Sequence, residues 1–183
     1  IQITNQDEIE RSIDNVFEIS QNLKSREFWK GLPNKVEAKE IDGTFDDKLE
    51  KISGTEVMDI AQTMINSTNN NKINTITGSL NIVSEHFELA NSNGLCFDDK
   101  GTYISGIINA ESEHGTIPVS GIGHASCRTL SNFSAEQIGK DAQIMCVESI
   151  NPQKINSDKY SIIFEPYSVG ELLAFVVASN FNF

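Results

Sequence analysis

The chain has 183 residues, 38% of them hydrophobic, which is enough for one domain with a packed core or for one domain and the edge of another. Its formal charge is -12 and no stripe of Lys and Arg interrupts the acidic background, which argues against nucleic acid as a direct partner. No apolar run approaches the roughly 20 residues that a membrane span needs. Cys96, Cys127 and Cys146 are odd in number and widely spaced, which favours a reducing compartment over a disulfide framework. We therefore expect a soluble, cytoplasmic protein without membrane contact.

Two helices with capping patterns are predicted in the first third of the chain. The segment Thr4 to Asp7 fits a capping box, and apolar residues then recur at helical spacing. This helix ends before the Gly-Leu-Pro of residues 31–33, because Gly and Pro disfavour its continuation. Residues 30–45 are interpreted as a linker at a domain boundary. A second capping box, Ser53 to Glu56, begins the next helix.

The middle of the chain, residues 73–128, alternates in short strands with turn residues between them. Asn93-Gly94, Lys100-Gly101 and His114-Gly115 each predict a reversal, so the result is an antiparallel meander. The apolar residues change parity along the first strand, which predicts a bulge or tight turn between Val83 and Glu85.

The later strands of this meander, 102–110 and 116–128, are rich in Gly and Ser. Such strands indicate close backbone approach or a peptide-binding face. The candidate peptide-binding residues are Thr102, Ile104, Gly106 and Ile108.

A third helix is predicted after Ser134, with Gln137 completing its capping box. Its apolar stripe consists of Ile138, Ala142, Met145 and Cys146. A strand at residues 160–164 and a last helix opened by Pro166 then follow. This last helix is apolar on all sides and must be covered, so we expect a chain that continues beyond Phe183. The predicted fold class is α+β, an antiparallel meander sheet with flanking helices in a fragment of a larger protein.

The residue types present form no complete catalytic constellation. His124 and Cys127 lie three residues apart in a predicted strand, which directs their side chains to opposite faces and argues against a shared metal. Cys96 and Cys127 have neutral or acidic neighbours, so packing explains them better than a reactive thiolate does. The acidic pairs Asp46-Asp47 and Asp98-Asp99 are interpreted as solvated turns. No metal site is predicted in this chain.

Several segments stand in a distinctive order along the chain: Gly31-Leu32-Pro33, Asp42 to Leu49, the helix from Ser53, Leu89 to Leu95, the helix from Ser134, and Ile162 to Pro166 leading to Glu171-Leu172-Leu173. This order resembles the TldD/PmbA family, zinc metallopeptidases that are also called modulators of DNA gyrase. The resemblance spans essentially the whole chain, which would be less than half of a complete member.

In the TldD branch of that family, a helix carries H-E-x-x-x-H directly after the Leu-Leu pair. The corresponding positions here are Ala174, Phe175 and Ser179, and none of them can bind zinc or act as a base. The resemblance therefore implies the PmbA branch, also called TldE, whose members look like companion subunits of a TldD-like chain that carries the zinc.

The resemblance also implies a division of the chain. Residues 1–32 would hold the C-terminal helix of an N-terminal domain, and residues 33–52 a linker. Residues 53–183 would be the start and central part of a second domain, truncated at its C-terminus.

Two functions follow as hypotheses. The first is a PmbA/TldE-like subunit of a cytoplasmic zinc metallopeptidase that acts on unfolded peptides, paired with a TldD-like catalytic subunit or with itself. In that case the zinc belongs to the partner and this chain needs no cofactor. The alternative is a non-enzymatic module that binds peptides or proteins by strand addition.

Overall fold

The structure, a computed structural model, describes residues 5–24, 27–34, 39 and 41–181. It confirms the α+β class, with a three-stranded antiparallel sheet flanked by helices. The helices are α1 (Gln6–Gln21), α2 (Asp47–Glu50), α3 (Gly54–Thr68), α4 (Ala135–Glu148) and α5 (Pro166–Val176), and the strands are β1 (Thr75–Ala90), β2 (Cys96–Ser112) and β3 (Val119–Cys127). Among the helices of this described part, none is long and apolar enough to cross a membrane.

The sheet is a meander in the order β1-β2-β3, so β2 is its central strand. Two of the predicted reversals are confirmed: Gly94 ends the β1–β2 hairpin at φ +80°, and Gly115 lies in the β2–β3 loop at φ +99°. The reversal predicted at Lys100-Gly101 is wrong. These residues lie within β2 and pair with His86 and Glu85, because β1 is long enough to accompany β2 through that point.

The bulge predicted near Val83 is also wrong. The pairing of β1 with β2 advances one residue at a time from Thr75 to Ala90 without interruption. The parity change has a different cause. Ile76, Leu80 and Ile82 lie on the face that packs against the helices, whereas the later apolar residues, such as Phe87, lie on the opposite face, where Phe87 contacts Phe97 at 5.7 Å between ring centroids.

The hydrophobic core lies between one face of the sheet and the helices α3 and α4. Its buried members come from α3, β2 and α4: Met64, Ile108, Ala110, Ile138, Ala142 and Cys146. On α4, three of the four predicted stripe residues are buried, while Met145 is 40% exposed. Burial raises the pKa of the Cys146 thiol, which fits a protonated packing residue.

Glycines on β3 allow α4 to lie directly on the sheet. A Cβ at Gly121 would stand 2.5 Å from the carbonyl oxygen of Ala142, and a Cβ at Gly123 would collide with the carbonyl of Ile138. Both obstacles are helix backbone, which cannot rotate away as a side chain can. The Gly-rich composition of this strand therefore reflects close helix packing.

The predicted helix starts are largely confirmed. Ser53 and Glu56 form a reciprocal capping box at α3. At α4 the hydroxyl of Ser134 accepts from the backbone N–H of Gln137, but the Gln137 side chain donates to Asp141 instead of completing the box. The N-cap of α1 is Asn5, whereas the predicted Thr4 lies outside the described residues.

The strand predicted at residues 160–164 is wrong, since this segment is exposed and irregular. A strand requires a neighbour for its backbone hydrogen bonds, and within the described residues the sheet ends at β3. The apolar character that predicted the strand remains visible: Ile163 is 98% exposed.

Segments distant in the sequence meet at the hairpin end of the sheet. The side-chain amides of Asn91 and Asn93 donate to the carbonyls of Pro33 and Leu32 at 2.9 and 2.8 Å. The Gly-Leu-Pro segment and the asparagine-rich turn, two parts of the family resemblance, are thus in contact. The division of the chain at residues 32 and 52 stays a prediction.

Asp46 joins the segment before α2 to the sheet and to the loop after β3. Its carboxylate accepts from the backbone N–H of Lys48 at 2.9 Å and of Leu130 at 2.8 Å. Its own N–H donates to the hydroxyl of the buried Thr102, which in turn donates to the carbonyl of Arg128. Both hydrogen bonds to the carboxylate lower the pKa of Asp46, and the one from the Leu130 N–H has the larger effect.

We expect Gly123→Ala to lower the free energy of unfolding by roughly 1 to 3 kcal/mol, because the added methyl group overpacks the contact between β3 and α4. Gly170→Ala is the matched control, since a Cβ there meets nothing within 4 Å. Urea unfolding followed by circular dichroism measures both variants. Equal stability of the two variants would contradict the proposed packing constraint.

We expect Asp46→Asn to lower the Tm at neutral pH, because the amide lacks the charge that strengthens the two hydrogen bonds from Lys48 and Leu130. The folded-state pKa of Asp46 lies below its ordinary value of 3.8, so its contribution is present above that value and is lost as the pH falls through the folded-state pKa. The difference in Tm between wild type and variant should therefore narrow on acidification. Asp59→Asn, an exposed carboxylate on α3, is the matched control for the loss of one negative charge.

Candidate functional site

The three positions that the family resemblance assigns to metal binding lie at the end of α5. Ala174 and Phe175 are in its last turns, and Ser179 lies in the short 3-10 turn Ala178–Asn180 that follows. Phe175 is 78% exposed. The Ser179 hydroxyl donates back to the carbonyl of Phe175. A methyl group, a phenyl ring and a hydroxyl committed to the backbone do not fit a zinc ion, which needs imidazole, thiolate or carboxylate ligands.

The other potential metal ligands are dispersed. His124 lies on the sheet face opposite the helices, whereas Cys127 lies on the helix side and donates its thiol to the carbonyl of Asn132 at 3.2 Å. His86 lies beside Asp98 at 3.9 Å, with no third ligand among the residues that the structure describes. Within the part of the chain that the structure describes, no three His, Cys, Asp or Glu side chains converge on one point.

The four candidate peptide-binding residues on β2 face the core. Thr102, Ile104 and Ile108 are at most 4% exposed, and Gly106 packs against Met64 and other core side chains. From Ile104 onward β2 pairs with a strand on each side, so its edges are not open to strand addition. This corrects the interpretation of the Gly-rich strand as a peptide-binding face, because the glycine serves helix packing.

Within the described residues, β1 and β3 each pair with a strand on one side only, and a polar groove lies beside β3. This groove, the β3–α4 groove, has a volume of about 360 Å³ and lies between β3, the exposed side of α4 and the start of α5. Its lining residues are Ile122, Gly123, His124, Asp141, Ile144, Met145, Glu148 and Glu165.

The α4 residues of the groove recur at positions 141, 144, 145 and 148, which is the spacing of one helix face. Sequence reasoning assigned Met145 to the core and overlooked the acidic residues of this stripe. Two features of the sequence could have indicated this groove. The predicted α4 carries a second stripe of residues at helical spacing, and the last strand of a meander lies at the edge of its sheet. Asp98 and Asp99, predicted as a turn, lie in β2 instead.

An aromatic contact joins α5 to the rest of the molecule. The ring of Tyr167 lies 4.2 Å from that of His124 between centroids. Tyr167 also hydrogen-bonds Glu171 on the next turn, and this bond raises the pKa of the phenol. No residue of α5 is fully buried, so the contact between Tyr167 and His124 is a main contact that holds α5 against the sheet.

The chain matches no protein-family model and no curated protein. Several solved structures share its fold at low sequence identity. A candidate modulator of DNA gyrase from Bacteroides thetaiotaomicron superposes with a TM-score of 0.80 at 18% identity, over 96% of this chain and 41% of that one. A candidate gyrase modulator from Thermotoga maritima gives 0.64 at 21% identity, over 79% and 34%. TldE from Thermococcus kodakarensis gives 0.66 at 16% identity, over 79% and 33%.

These likenesses show that the chain has a TldD/PmbA-like fold. The chain spans 41% or less of the length of the proteins that it matches. The likenesses therefore show the fold alone, and the activity, substrates and partners of the whole protein are proposed below.

We expect Tyr167→Ala to release α5 while leaving the core intact, because the ring contact with His124 is lost. Hydrogen–deuterium exchange should become faster in residues 166–176 and stay unchanged in β2. Tyr160→Ala is the control, since that ring is 54% exposed and its hydroxyl bonds only within its own segment. Unchanged exchange in α5 of the Tyr167 variant would mean that other contacts hold the helix.

Proposed function

We propose that this chain belongs to a PmbA/TldE-like companion subunit of a cytoplasmic TldD/PmbA-type zinc metallopeptidase. The subunit itself lacks the catalytic metal site, and a TldD-like partner supplies the zinc. The complex acts on unfolded peptides. The observation that carries the proposal is the occupation of the three metal positions of a TldD/PmbA-like fold by Ala174, Phe175 and Ser179.

The surroundings of these positions support the same role. The exposed end of α5 is apolar, with Leu172 and Phe175 54% and 78% exposed. Such side chains favour packing over ion binding. A zinc-presenting helix instead needs several ligands held by hydrogen bonds from neighbouring groups, and no three potential ligands converge among the described residues around Ala174.

A direct action on gyrase–DNA complexes is the weaker proposal. The names of two structural neighbours refer to gyrase, but a net charge of -12 repels a phosphate backbone. An effect on gyrase would pass through a protein partner or through degradation of a peptide inhibitor.

Zinc analysis tests the companion role. We expect the intact protein purified alone to contain no stoichiometric zinc, and to form a zinc-containing, peptidase-active complex when it is co-expressed with a TldD-like chain of the same organism. Mass spectrometry of metals and size-exclusion chromatography measure the two properties.

Matched variants locate the metal within the complex. Replacing a histidine of the partner's H-E-x-x-x-H should remove zinc and activity, whereas Ser179→Ala in this chain should leave the zinc content unchanged. Stoichiometric zinc in the protein purified alone would overturn the companion role.

A further inference from the structure

We propose that Asn91 and Asn93 form a latch that fixes the Gly-Leu-Pro segment to the sheet, and that the joint between the two predicted parts of the chain lies before Leu32. The family resemblance implies a linker at residues 33–52 instead. The contacts of the described residues argue for the earlier position, because this linker is anchored to the sheet at two points. The inference is independent of the proposed function, since it involves neither zinc nor a partner.

The latch joins two side-chain amides to two consecutive backbone carbonyls. The Nδ2 of Asn91 donates to the carbonyl of Pro33 at 2.9 Å, and the Nδ2 of Asn93 donates to the carbonyl of Leu32 at 2.8 Å. The two donors lie two residues apart, and their acceptors follow in the opposite order along the chain. Paired hydrogen bonds of this kind determine both the position and the direction of the bound segment, which a single bond would not.

The turn that carries the latch is held by its own hydrogen bonds. The Oδ1 of Asn91 accepts from the N–H of Asn93 at 2.9 Å and from that of Leu95 at 3.2 Å. The backbone carbonyl of Asn91 accepts from the N–H of Gly94 at 3.2 Å. Such bonds from a side chain to the nearby backbone are the reason why Asn is favoured in turns. The backbone beneath both latch side chains is thus fixed, which lowers the entropy that is lost when they bind the segment.

The bound segment is restricted in conformation as well. Pro33 has a fixed φ and favours an extended conformation at the residue before it, Leu32. Gly31 has φ +110°, a value that other residues rarely adopt. A Cβ at Gly31 would meet nothing within 4 Å, so backbone conformation and not packing requires the glycine. The residue type with the greatest conformational freedom therefore stands immediately before the latch, where we place the joint.

A second anchor fixes the later part of the predicted linker. The carbonyl of Thr44 accepts from the backbone N–H of Thr102 at 3.0 Å, and the N–H of Asp46 donates to the Thr102 hydroxyl at 2.9 Å. Thr102 is 0% exposed, so this anchor belongs to the interior of the sheet domain. With both anchors in place, residues 32–33 and 44–46 move together with the sheet. The linker between them then cannot serve as a hinge between the sheet and a preceding domain.

Limited digestion of the intact protein with trypsin tests the latch, with the cut sites identified by mass spectrometry. Cleavage after Lys30 requires the latched residues to leave the turn and extend in the protease, so its rate reports the opening of the latch. Lys24 is the internal reference site. We expect Asn93→Asp to raise cleavage at Lys30 relative to Lys24 about fivefold, as for the loss of one hydrogen bond, because a carboxylate cannot donate to the carbonyl of Leu32.

Asn91→Asp separates the latch from the turn. The carboxylate keeps an oxygen that accepts from the N–H groups of Asn93 and Leu95, but it loses the donor to Pro33. We expect a similar rise in cleavage at Lys30, and a larger rise in the double variant, while hydrogen–deuterium exchange of the Leu95 amide stays slow. Faster exchange at Leu95 would mean that the hairpin itself opens, which would overturn the latch.

The matched control is Asn156→Asp, which adds the same charge at an exposed asparagine after α4 and should leave the cleavage ratio unchanged. An equal rise in the control, or an unchanged ratio in the double variant, would overturn the proposal. In the wild type, cleavage at Lys24 should be faster than at Lys39, which lies between the two anchors. The reverse order would overturn the position of the joint. None of these outcomes alters the zinc result, so the two proposals fail separately.

Discussion

The close contact between α4 and the glycines of β3 holds the helices and the sheet together. Because Gly121 and Gly123 have no Cβ, the backbone of α4 contacts the backbone of β3 and covers one face of the sheet. Gly139 allows a similar close approach on the other side of α4, where a Cβ would lie 2.7 Å from the Cβ of Ser67 on α3. The two helices and the sheet thus form one packed unit around Ile138 and Ala142.

The same contact determines which surfaces stay open. Because α4 is seated on β3, one stripe of the helix faces inward and the next stripe, with Asp141 and Glu148, stands beside the strand edge. The helix layer covers only the first part of β1. Phe87, farther along the strand and on the opposite face of the sheet, remains exposed. Packing therefore creates the acidic groove and leaves the face of the hairpin around Phe87 exposed.

The end of α5 has the opposite character, because it depends on few contacts. Tyr167 attaches its first turn to His124, and the following apolar residues remain exposed. The family resemblance implies that the metal ligands of the TldD branch occupy the positions of Ala174, Phe175 and Ser179. The side chains present can pack but cannot bind a cation, so the proposed role lies in association and peptide handling.

The local features follow from the amino-acid sequence alone: the capping box at Ser53, the turn at Gly94, the start of α5 at Pro166, and the opposite faces of His124 and Cys127. Each depends on neighbouring residues along the chain, whose geometry the residue types dictate. Tertiary contacts set the length of β2, the core position of Gly106 and the acidic groove beside Ile122. These depend on partners far away in the sequence, because pairing and helix cover determine which strand edge and which face remain free.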